Sequence, residues 1–127
     1  MDLFYRCAHC GNLVYVINDG SVNPVCCGEP MKLLKAGESD GAVEKHVPVI
    51  GISDSEVAVK VGEVAHPMTE EHLIQWIALS VNGRMDIRKL AAADKPEAVF
   101  TVEKGCDFTV YEYCNLHGLW KATGKAL

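Results

Sequence analysis

The sequence predicts an all-β chain in two parts: a small N-terminal segment stapled by metal, then a β-sandwich. Three observations predict it. Four cysteines fall early, as Cys7-Ala8-His9-Cys10 and the adjacent pair Cys26-Cys27. From residue 56 onward, short runs alternate polar and apolar residues, the period of a half-buried strand. No stretch carries a convincing long-helix pattern.

Residues 1–36 hold four cysteines and few large apolar groups. A segment this short cannot bury enough surface to fold alone, and a metal bound by four thiolates would supply the missing stability. Asn12-Leu13-Val14-Tyr15-Val16-Ile17 reads as a strand ending at an Asp19-Gly20 turn. The polar, glycine-rich run from Ala36 to Gly41 reads as a linker, so the second domain is expected over 37–127.

In that second part Glu56-Val57-Ala58-Val59-Lys60-Val61 alternates as a strand does. Ile74 to Val81 is apolar and partly β-branched. Asn82-Gly83 then separates it from the alternating run Met85-Asp86-Ile87-Arg88-Lys89-Leu90, a strong hairpin signal. Ala98 to Val102 and Phe108 to Tyr113 are expected to pair as another hairpin across Lys104-Gly105. Roughly seven short strands of this kind suggest a β-sandwich.

Composition narrows the function classes. The 127 residues are 49% hydrophobic and 23% charged, with a net charge of -5. That balance argues against a sequence-independent nucleic-acid binder, which needs a basic face. The N-terminal residues are neither basic nor apolar enough for a secretory signal, and no run approaches the roughly 18 apolar residues of a membrane span. The expected location is the cytoplasm, with no membrane partner. Thiols stay reduced there, so six cysteines read as metal ligands before disulfides.

Cys-x2-Cys grips an ion from a tight turn, and four thiolates select zinc or iron. Gly11 and Gly28 follow the two cysteine pairs and are expected to let backbone N–H groups point at sulfur. Cys26 and Cys27 are neighbours and cannot copy a Cys-x2-Cys knuckle, so a distorted tetrahedron is expected. His9 reads as an exposed spacer within the knuckle loop.

A second cluster, Cys114-Asn115-Leu116-His117, has one thiolate and one imidazole and must borrow ligands. His46, His66 and His72 are the available lenders, each in a turn-like or strand-end context. Taken singly, each reads as an ordinary polar loop residue. Together they form a four-imidazole, one-thiolate set that leaves one position open, the mark of a reactive metal. Iron suits imidazoles with an axial thiolate, which donates electron density toward whatever binds opposite. Ferrous iron in that set leaves a net positive charge, and Lys45 beside His46 adds local attraction for a small anion.

At this point the whole chain resembles desulfoferrodoxin, the two-iron form of superoxide reductase. The matching strings run from Tyr5-Arg6-Cys7-Ala8-His9-Cys10-Gly11-Asn12 and Cys26-Cys27-Gly28-Glu29-Pro30-Met31 through Glu44-Lys45-His46-Val47-Pro48 and Ala65-His66-Pro67-Met68 to Tyr113-Cys114-Asn115-Leu116-His117-Gly118. The resemblance implies a desulforedoxin-like domain followed by an immunoglobulin-like β-sandwich, with two irons per chain. Cys7, Cys10, Cys26 and Cys27 would bind the first as Fe(Cys)4. His46, His66, His72 and His117 would bind the second equatorially, with Cys114 axial. Glu44 would occupy the sixth position in the resting ferric state, and Lys45 would draw in superoxide and assist its protonation. The implied activity is reduction of superoxide to hydrogen peroxide with electrons from a rubredoxin-like donor, in a homodimer. Cys106 belongs to neither ligand set and is assigned no role.

Three rival readings follow from the same residues. An electron carrier without turnover would use only the first centre and leaves the histidines and Lys45 unexplained. A zinc-stabilised interaction module would be colourless. A superoxide dismutase would also oxidise superoxide and evolve oxygen.

Overall fold

A computed structural model describes residues 2–38 and 41–127. Ser39 and Asp40 of the expected linker lie outside the described residues. The chain forms two compact units, Met1–Lys35 and Ala36–Leu127.

The first unit is built from very short strands: β1 (Leu3–Arg6), β2 (Leu13–Val16), β3 (Val25–Cys26), β4 (Glu29–Pro30) and β5 (Lys32–Leu33). Antiparallel β1 lies between β2 and β5, while β3 and β4 form a separate hairpin. The apolar interior is correspondingly small. Tyr5, Cys7 and Met31 are buried together, with Leu3, Val16 and Cys26 packed against them.

The second unit begins with a single helical turn, α1 (Val43–His46). Seven strands follow: β6 (Pro48–Ser53), β7 (Glu56–Val61), β8 (Ile74–Val81), β9 (Arg84–Lys89), β10 (Glu97–Thr101), β11 (Asp107–Cys114) and β12 (Gly118–Lys125). They make two antiparallel sheets, β10-β7-β6 and β12-β11-β8-β9. The architecture is an all-β sandwich. In β7 the residues Val57, Val59 and Val61 are buried and their neighbours exposed, as the alternation requires. Each buried valine contributes about 1.5–3 kcal/mol of hydrophobic stabilisation. Central β8 is buried on both faces, which explains its nearly unbroken apolar sequence. Asn82 (φ 46) and Gly83 (φ 74) both adopt left-handed backbone and join Val81 to Arg84 in a two-residue hairpin.

One expected pairing is wrong. β10 and β11 do not form a hairpin: β10 pairs with β7, and β11 lies between β12 and β8. The connection crosses from one sheet to the other. Val102 N–H donates to Ser55 O in the β6–β7 turn (2.9 Å), whereas Gly105 N–H donates to Ala126 O just beyond β12 (3.0 Å). The crossing lets Phe100 and Phe108 enter one shared core from opposite sheets.

All elements needed for a site converge at one end of the sandwich. That end holds α1, the β7–β8 connection, the start of β8 and the β11–β12 turn, with Pro48 paired to Val61 and Ile74 to Cys114.

Candidate metal centres

The first unit brings Cys7, Cys10, Cys26 and Cys27 together, with all four sulfurs within 4.8 Å of one another. Successive side chains on a strand point to opposite faces, so neighbouring cysteines would normally diverge. Here Cys27 (φ 53) and Gly28 (φ 75) are both left-handed and form the β3–β4 turn, which breaks the alternation. That backbone is how two adjacent thiols serve one site. The Cys10 N–H donates to Cys7 Sγ (3.5 Å), and the Asn12 side-chain amide donates to Cys26 Sγ (3.7 Å). Gly11 (φ 80) turns the chain back there, its own N–H donating to the Cys7 carbonyl (3.0 Å), so a backbone N–H does point at sulfur, from Cys10. His9 stays outside the sulfur group, its Nε2 lying 3.1 Å from the Glu29 carboxylate. The Cys10 amide is the main cause that pulls the Cys7 thiol down to about 6. The Cys10 and Cys7 sulfurs push Cys26 up, and Cys27 up to about 12. Four crowded thiols cannot all ionise without a cation between them, so the group fits a metal.

The second unit brings together His46, His66, His72, His117 and Cys114, again with ligand atoms within 4.8 Å. The rings close a cycle. His46 faces His66 (centroids 4.7 Å, planes at 79°) and His66 faces His72 (4.7 Å, 77°). His72 faces His117 (5.0 Å, 68°), and His117 faces His46 (4.8 Å, 77°). This order sets His46 across from His72 and His66 across from His117. Cys114 Sγ lies 3.7 Å from His117 Nδ1.

Hydrogen bonds fix which nitrogens are bare. His46 Nδ1–H donates to Ala42 O and His66 Nδ1–H to Pro67 O, each at 2.7 Å. A carbonyl only accepts, so both protons sit on Nδ1 and both Nε2 atoms are lone-pair bearing. Those two Nε2 atoms are nevertheless 3.1 Å apart in a buried setting. His72 Nε2 is also buried with no hydrogen-bond partner. Burial is the main cause that lowers the proton affinity of His46 and His72 and brings His66 to about 4. Protonation therefore does not relieve the clustering, and a cation does. Burial also pushes the Cys114 thiol up, and a bound cation would reverse that and hold a thiolate. The donor set thus fits iron better than a closed zinc site.

Lys45 and Glu44 sit beside this cycle on α1. Lys45 is half-buried, and its charge disfavours protonation of both His46 and His72. Glu44 is exposed, lies outside the five-ligand group and lines a cleft with Val47, Pro48 and Glu63. The helical turn is clasped from one side. Val64 N–H donates to Glu44 O (2.9 Å), and a Cβ on Gly62 (φ +81) would lie 2.6 Å from Lys45 O.

Two contributors carried no role in the sequence reading. Trp120 stacks on His46 (5.0 Å, 24°), and its Nε1–H donates to His117 O at 3.0 Å. Glu112 is fully buried on the same face of β11 as Phe108, Val110 and Cys114, and neither carboxyl oxygen has a hydrogen-bond partner. The signal was available: counting back by twos from Cys114 places a carboxyl at an inward position. Cys106 lies outside both groups. It is half-buried at the core's edge and accepts from Asn82 Nδ2 at 3.2 Å.

Family profiles account for most of the chain. The desulfoferrodoxin N-terminal domain matches residues 2–34, and desulfoferrodoxin matches residues 38–123. The chain belongs to the desulfoferrodoxin family. A desulfoferrodoxin of Nitratidesulfovibrio vulgaris is 53% identical over 118 residues, covering 93% of each chain. A superoxide reductase of Pyrococcus horikoshii is 36% identical over 107 residues, or 69% of this chain and 90% of that one. The crystal structure of the superoxide reductase from Treponema pallidum matches with a TM-score of 0.79 at 31% identity, covering 96% of this chain and 97% of that one. The group of four cysteines and the group of four histidines with one cysteine are the two-iron arrangement of desulfoferrodoxin. Among the described residues, no helix is long and apolar enough to cross a membrane.

Proposed function

We propose that this chain is a superoxide reductase. It reduces superoxide to hydrogen peroxide, consuming one electron and two protons per superoxide, at an Fe(His)4Cys centre held by His46, His66, His72, His117 and Cys114. The observation that carries the proposal is the cycle of four imidazoles beside one buried thiol, with the His72 Nε2 unpartnered. Superoxide reductases among the relatives support the substrate. Ferrous iron held there would supply the electron.

The chain's own residues supply the rest. Cys114 would bind the iron through its sulfur and donate electron density to it, and five protein ligands would leave room for the substrate. Lys45 offers a local positive charge that counters the net charge of -5 and holds a proton on Nζ for the product. Glu44, exposed on α1 two residues before His46, is the carboxylate we assign as the further group that would bind the iron when no substrate is present. Trp120 and the carbonyls of Ala42 and Pro67 hold the imidazole rings in orientation. Cys7, Cys10, Cys26 and Cys27 hold the Fe(Cys)4 centre, and residues 1–36 and 37–127 act as the two domains. Re-reduction comes from a rubredoxin-like donor. The apolar side chains Ile17, Val22 and Val25, exposed at 84%, 79% and 68%, support self-association as a homodimer. The use of five of the six cysteines as metal ligands rather than in disulfides supports a reducing, cytoplasmic setting.

The test is to reduce the iron-loaded protein, mix it with superoxide and follow oxidation of the second centre and peroxide yield. One peroxide per electron and no oxygen evolution is expected. Oxygen evolution without a donor would indicate a dismutase. Electron exchange with rubredoxin but no oxidation by superoxide would leave only the electron-carrier reading.

A further inference from the structure

The ladder between β8 and β11 ends early. Its last pair is Cys114 with Ile74, after a register irregularity between Tyr113 and Cys114. Beyond that pair the chain after β11 turns toward Gly118, so it cannot continue as a strand partner. His72 lies on the segment left over, two residues before β8. Asn115 bridges the gap. Its backbone N–H donates to Leu73 O at 3.2 Å. Its side-chain Oδ1 accepts from Leu73 N–H at 3.0 Å, and its Nδ2 donates to Glu71 O at 2.9 Å. The side-chain amide therefore supplies one acceptor and one donor to the segment, as the C=O and N–H of successive inward-facing strand residues would. These two bonds bracket His72 on both sides. Thr69 completes the hold, its Oγ1 accepting from His72 N–H (3.1 Å) and its N–H donating to His72 O (3.0 Å).

His46 and His66 are oriented by carbonyls at Nδ1. The contacts above hold His72 through its backbone. We infer that Asn115 is a positioning residue, which fixes the His72 segment against the Cys114–His117 turn and so sets the geometry of the second metal centre. The inference rests on the Fe(His)4Cys reading. Only a primary amide fits the role: aspartate keeps the acceptor but turns an oxygen toward Glu71 O, and alanine loses both bonds.

The experiment uses the full chain loaded with ferrous iron, as wild type, Asn115→Ala and Asn115→Asp. Iron retention is measured by chelator competition at each centre, together with the absorption and EPR spectra of the ferric second centre. Expected in both variants is a loss of iron affinity at the second centre of roughly 10–100-fold, the range for supporting contacts around metal ligands. The ferric EPR signal should change shape while the Fe(Cys)4 signal does not. Wild-type affinity and spectrum in both variants would overturn the inference, even if their melting temperatures fall. If Asn115→Ala fails to fold, the near-isosteric Asn115→Asp decides. A wild-type protein that takes no thiolate-bound iron at the second centre would instead overturn the reading of the centre itself.

Discussion

Replacing Glu112 with glutamine should flatten the pH dependence of folding stability. Glu112 is fully buried between Val110 and Cys114 on the inward face of β11, and its oxygens have no hydrogen-bond partner. Burial alone raises its carboxyl from 4.5 to about 9. The folded chain therefore keeps a proton that the unfolded chain gives up above pH 4.5. Stability from this group is whole below that pH and falls as pH rises, by about 1.4 kcal/mol per unit, until the folded carboxyl itself ionises near 9. At pH 7 the loss is roughly 3 kcal/mol, a large share of a typical 5–15 kcal/mol. Glutamine has the same shape and nothing to ionise, so its desolvation cost does not change with pH. Guanidinium unfolding of the two iron-loaded proteins at pH 5 and pH 8 isolates the effect, because the pH dependence of iron binding is common to both. The stability difference should move in favour of glutamine by roughly 4 kcal/mol between those pH values. A difference that stays constant with pH would show that the wild-type carboxyl ionises normally, and would refute the argument.

Other perturbations have equally definite outcomes. Lys45→Ala should slow the bimolecular reaction with superoxide by about tenfold at low salt, with rates converging as salt approaches 1 M; stopped-flow rates with equal salt slopes would exclude local steering. Gly62→Ala forces an alanine into a left-handed φ, costing about 1–2 kcal/mol, and drives its Cβ into the Lys45 carbonyl. Both a lower melting temperature and weaker iron retention at the second centre are expected, and a change in only one would mean the loop and α1 move independently. Cys114→Ser should remove the thiolate charge-transfer absorption and reduce turnover by orders of magnitude; normal turnover with iron retained would exclude the sulfur from the chemistry.

The sequence made the strands legible where local chemistry decides them. Alternation at Val57, Val59 and Val61 and the Asn82-Gly83 turn each translated directly into structure. The β10–β11 pairing was misread because two adjacent β runs around a Gly-containing loop look alike whether they stay on one sheet or cross to the other. The deciding hydrogen bonds, to Ser55 and Ala126, are distant in sequence. Both donor groups could be assembled from residue types and spacing. Their supports could not, because Trp120 on His46, Gly62 under Lys45 and Asn115 beside Leu73 depend on which chain ends meet in space. The left-handed Cys27 is intermediate: adjacent cysteines signalled an unusual backbone without saying which one.

The two units should also respond differently to loss of metal. Among the described residues the first unit buries Phe4, Tyr5, Cys7 and Met31, with Cys26 packed against the last three, so two of its core residues are also metal ligands. Removing the ion leaves four crowded sulfurs and only a small apolar interior of Phe4, Tyr5 and Met31, in a segment below the roughly 40 residues at which chains usually need a staple. Structural metal binding of this kind is worth on the order of 10 kcal/mol, more than such a core supplies. The sandwich core is different. It runs through Val57, Ile77, Leu79, Phe100 and Val110, and among the described residues Cys114 is the one member of this buried hydrophobic cluster that is also a ligand. Chelation under reducing conditions should therefore unfold residues 2–35 and leave the sandwich folded. Limited proteolysis followed by mass spectrometry reads this directly, with early cuts confined to the N-terminal unit. Equal cleavage of both units would show that the sandwich too depends on its metal. An intact N-terminal unit without metal would show that its few apolar contacts suffice.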